Sequence, residues 1–271
     1  MSSSTPADAS GGAIAPDLLA EYDSLPNVLS FNAGDPTGAG GSGSDATVIA
    51  AIGAHALPVV TGVYVRDTRE TMSHCAIDEA AVAEQAAAVA EDVPLHVIKV
   101  GFVGSAEAVS AIAAFTSDYA SVPVVAYMPD LSWWSEAEID HYLDACRELL
   151  LPQTTLLTPN SLEAGNVLAS PEAELFSQSF ERIDADFLGA GDILSAALAA
   201  LIATGSELTE ATSEALQYLD QALDHGFRPG MGRALADRLF WAASDADDQA
   251  DTADDGPALP PFPEPFNETK H

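Results

Sequence analysis

Four stretches of this sequence place reactive or anion-binding side chains beside turns. In Gly189-Ala190-Gly191-Asp192, followed by the apolar run Ile193–Gly205, two glycines and an alanine leave backbone N–H groups uncovered at the mouth of a helix. Those groups and the helix dipole favour an anion such as a phosphate. Asp192 falls in the first helical turn, a position that suits a capping carboxylate and equally a base that takes a proton from an attacking hydroxyl. Asn160 and Glu163 are three residues apart. On one helical turn they face the same way and can order a hydrated Mg²⁺ over phosphates, or they form an N-terminal capping pattern.

The other two stretches are the glycine-rich segment Asn32–Asp45 and the segment around Arg66, a scarce cation here; Lys99 is another further along the chain. So many glycines let backbone approach a flat ligand or follow tight turns, and Asp35 and Asp45 can orient a polar group. The spacing is not G-x-G-x-x-G opening a helix, so no dinucleotide site is expected there. Arg66 either binds a phosphate or carboxylate or pairs with Asp67 or Glu70. Lys99 ends an apolar run, where a charge is costly without a partner, and a structural ion pair is the expectation. Trp133 and Trp134 follow another apolar run, where they close a pocket or pack over a helix.

Short apolar runs that alternate with Ala-rich helical stretches must position these residues, a pattern of βα units on a mostly parallel sheet. The runs predict strands at Asn27–Phe31, Leu57–Tyr64, Leu95–Val100, Val122–Tyr127 and Thr154–Thr158. Helices are predicted over Ser44–Ala54, Asp78–Ala90, Ala106–Thr116, Ser135–Leu150, Gly191–Thr204 and Leu208–Asp224. Several open on Ser or Asp, which cap helix N-termini through a side-chain oxygen. In open α/β sheets ligands bind beyond the carboxyl ends of the strands, so the segments leaving those ends should hold the chemistry.

The chain has 271 residues, 48% of them hydrophobic, enough for a substantial core. Residues 1–26 read as a flexible leader, 27–243 as the folded domain and 244–271 as a disordered acidic tail. No apolar run reaches the roughly 18 to 20 residues of a membrane span, no signal peptide is evident, and a cytoplasmic, non-membrane protein is expected. Cys75 and Cys146 have no metal-type spacing, and reduced thiols are the default. The formal charge of −33, with only 9 Lys and Arg against 42 Asp and Glu, leaves little to build a nucleic-acid surface. Such acidity suits a high-salt cytoplasm, although an acidic tail raises the same count.

An N-x-x-E segment followed by G-A-G-D at the mouth of an Ala-rich helix resembles the ribokinase superfamily of small-molecule kinases. Within it, Asp35–Gly41 (D-P-T-G-A-G-G), Val97–Val103 (V-I-K-V-G-F-V), Leu150–Asn160, the run from Gly189 and the segment His225–Gly230 are similar to the hydroxymethylpyrimidine/phosphomethylpyrimidine kinases of thiamine synthesis. The resemblance spans 27–243 in order. It implies a ribokinase-like three-layer α/β fold, with a mostly parallel central sheet and helices on both faces. It also implies ATP-dependent phosphorylation of hydroxymethylpyrimidine and then of its monophosphate.

By the same resemblance, Gly189, Ala190 and Gly191 form an anion hole and Asp192 is the catalytic base. Asn160 and Glu163 order Mg²⁺, while Ala33, Asp35, Gly40, Gly41, Tyr64 and Arg66 surround the pyrimidine. A homodimer is the common assembly for soluble enzymes. Three departures stand out. The family usually has G-T-G-C where this chain has Gly189–Asp192, and Arg66 replaces a Gln or Glu that reads the pyrimidine, which argues for a more anionic substrate or a different subgroup. The stretch 161–188 is also short on the nucleotide side, where β structure at Gly165–Ser170 and Leu175–Ile183 would be abridged. A pyridoxal-type or other heterocyclic-alcohol kinase, or a non-catalytic pyrimidine-binding homologue, are the alternatives.

Overall fold

The computed structural model describes residues 24–158 and 186–242, together with the strand backbone at 166–170 and 173–177. The leader up to residue 23, the tail 244–271 and the pair Asn160 and Glu163 lie outside the described residues. Strands β1 (Asn27–Gly34), β2 (His55–Arg66), β4 (Val97–Val100), β5 (Val124–Tyr127) and β6 (Leu156–Thr158) pair in parallel. At the outer edge of β2 lies the antiparallel strand β3 (Thr71–Ala76), and beyond β6 the antiparallel pair β7 (Asn166–Ser170) and β8 (Ala173–Ser177). Together they form an eight-stranded sheet in the order β3-β2-β1-β4-β5-β6-β7-β8.

Alternate residues of the parallel strands feed two separate cores, as the twofold period of a strand requires. Val28, Val97, Val125 and Leu156 face the helices α1 (Gly41–Ile52), α5 (Ala190–Ala203) and α6 (Leu208–Asp224). Leu29, Phe31, Ile98 and Val100 face the other layer, where α2 (Glu79–Ala90), α3 (Ala106–Asp118) and α4 (Glu136–Ala145) cover the sheet. α5 is apolar all round because it lies under α1 and α6 against the sheet, with Ile193, Leu194 and Leu198 completely buried. Ser105 and Ser135 cap α3 and α4 as their sequence positions predict, and Ser135 with Glu138 completes a capping box.

Several boundaries differ from the sequence reading. β2 runs two residues past the predicted end at Tyr64 to Arg66, so Arg66 sits within the strand rather than beyond it. β3 has no forecast: Thr71–Ala76 offers only the edge of a sheet, most of it solvent-facing, and lacks the Val/Ile run that marks a buried strand. The single helix expected over Ser135–Leu150 ends as α4 at Ala145 and continues through a π-helical turn, Cys146–Leu150. In the abridged region, β7 and β8 form an antiparallel pair, which needs a tight turn and no crossover helix.

The chain moves from β1 outward to β2 and β3, then returns to the opposite side of β1 for β4. This reversal puts a crevice at the carboxyl ends of β1 and β4, the place where doubly wound sheets bind ligands. Burial on both sides makes α5 sensitive to a cavity. Leu198→Ala should lower unfolding free energy by about 2 to 5 kcal/mol, while Leu149→Ala, at an exposed position, should change it by less than about 0.5 kcal/mol. Urea denaturation of the two variants checks the contrast.

Candidate active site

At the switch point, three elements meet through charge. Lys99 on β4 is completely buried and its Nζ donates to both oxygens of Asp45, at 2.8 Å each, and to Oδ1 of Asp192 at 3.1 Å. Asp45 comes from α1 and Asp192 from the first turn of α5, so one ammonium joins a strand and two helices. Burial opposes charge on Lys99, but the attraction of Asp45, then of Asp192, outweighs it and holds the ammonium above its usual range. Burial pushes the Asp45 carboxyl up against the pull of Lys99, and the neighbouring negative charge of Asp192 adds to that push.

Asn32 at the end of β1 completes the network. Its Nδ2 donates to Asp45 at 2.9 Å and to Asp192 at 2.7 Å, while its Oδ1 accepts the backbone N–H groups of Ala33 and Phe102. Ser30 donates to Asp45 at 2.6 Å. Every polar atom of the Asn32 amide is therefore used. The two Asp192 oxygens are unequal as a result. Oδ1 accepts from Asn32 and Lys99, whereas Oδ2 has only the long 3.3 Å contact from the Gly41 N–H. A carboxylate oxygen has two lone pairs, so Oδ2 keeps one for a further donor.

The glycine-rich segment after β1 reaches this carboxylate by close backbone packing. Asp35 accepts from the N–H groups of Thr37 and Gly40 and folds the loop back on itself. A Cβ on Gly40 would overlap Asp192 Oδ2, and one on Gly189 would overlap the Ala39 carbonyl. Gly189 adopts φ +87°, which an L side chain rarely tolerates, and it starts α5 without any side-chain cap. The first N–H groups of α5 are thus left for another acceptor.

Arg66 pairs with Asp35 through Nε at 2.9 Å and through a second contact from Nη2, and its guanidinium lies over the Tyr64 ring, 4.4 Å from the centroid. Burial would raise the Asp35 pKa, but the Arg66 hydrogen bond and charge, with the N–H groups of Gly40 and Thr37, hold it below the ordinary carboxylate range. Because Asp35 already meets the Arg66 charge, this arginine no longer argues for a more anionic substrate.

A cavity of about 130 Å³ opens in front of the turn, lined by Tyr64, Arg66, Tyr127, Trp133, Arg233 and Gly189–Asp192 among others. It is smaller than the ~300–1,000 Å³ of drug-sized sites and matches a single substituted ring. Tyr127 covers Gly191, where any Cβ would overlap its ring; burial, then the Asp192 charge, pushes its hydroxyl far above the usual range and leaves a neutral donor. Trp133 lines the cavity edge-on to Tyr64, while Trp134 stacks on His74 at 4.9 Å and packs against Tyr142.

The structure therefore brings Gly189, Ala190, Gly191, Asp192, Tyr64 and Arg66 to one cavity. Ala33, Asp35, Gly40 and Gly41 lie behind it instead: Ala33 is completely buried under Gly41, and the other three brace Arg66 and Asp192. Among the described residues no cluster of three or more His, Cys, Asp or Glu is arranged for a metal ion. Sequence reasoning passed over Asn32, Tyr127 and Arg233. Arg233 carried the same signal that singled out Arg66, its rarity in a chain with nine Lys and Arg.

A parallel sheet that reverses direction at β1, with a glycine turn and a carboxylate opening the helix packed on it, defines the ribokinase-like class. The phosphomethylpyrimidine kinase family model matches residues 35–175 and 166–237, well over half of the chain. The chain belongs to the phosphomethylpyrimidine kinase family. A hydroxymethylpyrimidine/phosphomethylpyrimidine kinase of Escherichia coli is 30% identical over 157 residues, covering 58% of this chain and 59% of the relative, so the chain spans less than two thirds of that relative's length. Among solved structures, a Bacillus subtilis pyridoxal kinase in complex with ADP superposes with a TM-score of 0.68 at 17% identity, covering 81% of this chain and 99% of that one. A phosphomethylpyrimidine kinase of Clostridium difficile gives 0.58 at 20% identity, covering 72% and 100%. At these identities the superpositions establish the fold.

Removal of the Lys99 charge should show what it contributes. Lys99→Met leaves Asp45 and Asp192 without their ammonium and should cost about 3 to 5 kcal/mol. In that variant native Asp45 would hold its proton to higher pH than the unfolded chain, whose aspartates titrate near ~3.9. The native state then binds more protons, and stability falls as pH rises. Thermal melts should show a larger deficit against wild type at pH 7.5 than at pH 5.

Proposed function

We propose that this chain transfers a phosphoryl group from ATP to the hydroxymethyl group of a pyrimidine, and then to the resulting monophosphate, as a soluble cytoplasmic enzyme of thiamine biosynthesis. The observation that carries this reading is the convergence of Asp192 Oδ2 and the uncapped Gly189–Gly191 turn on one ring-sized cavity. Tyr64, Tyr127 and Trp133 give that cavity aromatic surfaces suited to a flat heterocycle. A substrate hydroxyl seated beside Oδ2 gives up its proton there, since Oδ1 is already engaged. Lys99 and Asn32 keep the carboxylate in that orientation.

A phosphoryl group fits the residues present. The first N–H groups of α5 have no side-chain cap, the glycines admit an oxygen close to backbone, and the buried Nε of Arg233 lacks a partner. Negative charge that spreads over the transferred group meets fixed dipoles, which is most of what phosphoryl transfer asks of a protein. Asn160 and Glu163 are the residues we assign to Mg²⁺, which neutralises phosphate charge when bound. A homodimer is the assembly we expect.

The test is phosphate transfer from ATP·Mg²⁺ to hydroxymethylpyrimidine, its monophosphate and pyridoxal by the purified chain, followed by ³¹P NMR. The two pyrimidines should be phosphorylated in preference to pyridoxal. Asp192→Asn should lower kcat by about 10²- to 10⁴-fold with a smaller change in KM. Undiminished turnover in that variant would remove Asp192 from its assigned role.

A further inference from the structure

Of the two cations on the cavity wall, Arg66 and Arg233, only Arg66 is paired with a carboxylate among the described residues. The Nε of Arg233 is buried without a hydrogen-bond partner, and among the described residues its guanidinium forms no ion pair. Arg66 beside it is committed to Asp35. Of the two acids on the wall, Asp192 is engaged by Lys99 and Asn32, and Asp130 accepts from the Ser132 N–H at 2.9 Å and the Ser132 hydroxyl at 3.1 Å. Arg228 and Arg238 form no ion pair among the described residues either, but each donates to a backbone carbonyl, of Gly232 and of Ala39, whereas the buried Nε of Arg233 has no acceptor.

The position of Arg233 is nevertheless fixed. Its own N–H donates to Thr68 O at 2.8 Å, the Gly232 N–H to Thr68 Oγ1 at 3.2 Å, and the Ala234 N–H to Asp186 O at 3.0 Å. A Cβ at Gly232 would overlap the Thr68 carbonyl, so only glycine lets this backbone approach the β2–β3 turn. The short parallel strands β9 (Phe187–Leu188) and β10 (Ala234–Leu235) then pair Ala234 with Phe187. This register sets Arg233 beside the segment that leads directly into Gly189. A held main chain with an unpaired, partly buried guanidinium is a preorganised donor fork, whose planar geometry matches phosphate oxygens.

We propose that Arg233 binds phosphoryl oxygens in the cavity in front of Gly189–Gly191, and so makes the site select phosphorylated ligands over neutral ones. The identity of those ligands rests on the kinase reading: either the ester phosphate of the phosphorylated pyrimidine or the terminal phosphoryl group of the nucleotide. Arg66, by contrast, stays with Asp35 and positions the ring-facing Tyr64 surface.

Titration calorimetry on the full chain separates these cases, with hydroxymethylpyrimidine, its monophosphate and a non-hydrolysable ATP analogue as probes. Arg233→Gln should weaken a phosphorylated probe by about tenfold or more, the loss of one charge-assisted contact, and leave hydroxymethylpyrimidine within about twofold. Arg233→Lys should recover part of the loss, and Arg147→Gln, which removes an exposed cation in the π-helical turn after α4, should change nothing. Loss on the monophosphate alone assigns the acceptor's ester, and loss on the analogue alone assigns the donor's phosphate. Unchanged affinities in Arg233→Gln, or an equal loss for all three probes, would overturn the proposal. A wild-type chain that binds the monophosphate through Arg233 yet transfers no phosphate would uphold this site and refute the kinase activity.

Discussion

The buried Lys99 ammonium is the constraint on which the site depends. Two carboxylates from different helices converge on it, 54 and 93 residues away in sequence. Neither carboxylate is tolerable at that depth alone, and neither is the ammonium. The Asn32 amide, the Ser30 hydroxyl and the Gly41 N–H donate to the carboxylate oxygens as well and share in satisfying them. Satisfying these charges has a geometric consequence, because it fixes α1 and α5 against the ends of β1 and β4. The same contacts orient Asp192 so that one oxygen is engaged and the other is open.

The glycine-rich segment follows from that geometry. A flat ligand is one reason for a chain to carry many glycines, but here the close approaches are mostly between protein groups. Gly40 approaches Asp192, Gly41 approaches Ala33, and Gly189 approaches Ala39. Each contact brings the loop within reach of the helix mouth, and a methyl group at any of them would push it away. Asp35 then ties the loop to β2 through Arg66. The cavity-facing surface is left to Tyr64, Tyr127 and Trp133, whose rings come from β2 and from the end of β5 with the stretch that follows it.

The parallel strands and most of the helices were legible in the sequence because they are buried on both sides and read as apolar runs or capped Ala-rich stretches. β3 was not legible, since an exposed edge strand asks for no apolar pattern. The network at the switch point was half legible. Burial physics says that a lysine closing Val97–Val100 must have a partner, but not that the partners are Asp45 and Asp192, because pairing across the fold is set by topology. The same limit explains Ala33: its place in a ligand-binding motif did not reveal that its side chain points into the core.

A formal charge of −33 and the proposed anion site pose an electrostatic contrast. At long range the protein repels phosphates, and only salt shortens that repulsion, to roughly 8 Å at physiological ionic strength. Attraction must therefore come from donors that act within contact distance and that the surrounding acids do not consume. Helix-terminal N–H groups meet this condition, because no carboxylate side chain caps α5. Arg233 meets it because Asp130 is occupied by Ser132 and Arg66 by Asp35. Under the proposed role of Arg233, the acids around the cavity thus matter as much as its cations: among the described residues Asp35, Asp130 and Asp192 each already accept from a donor of their own, which leaves the fork of Arg233 and the mouth of α5 for phosphate.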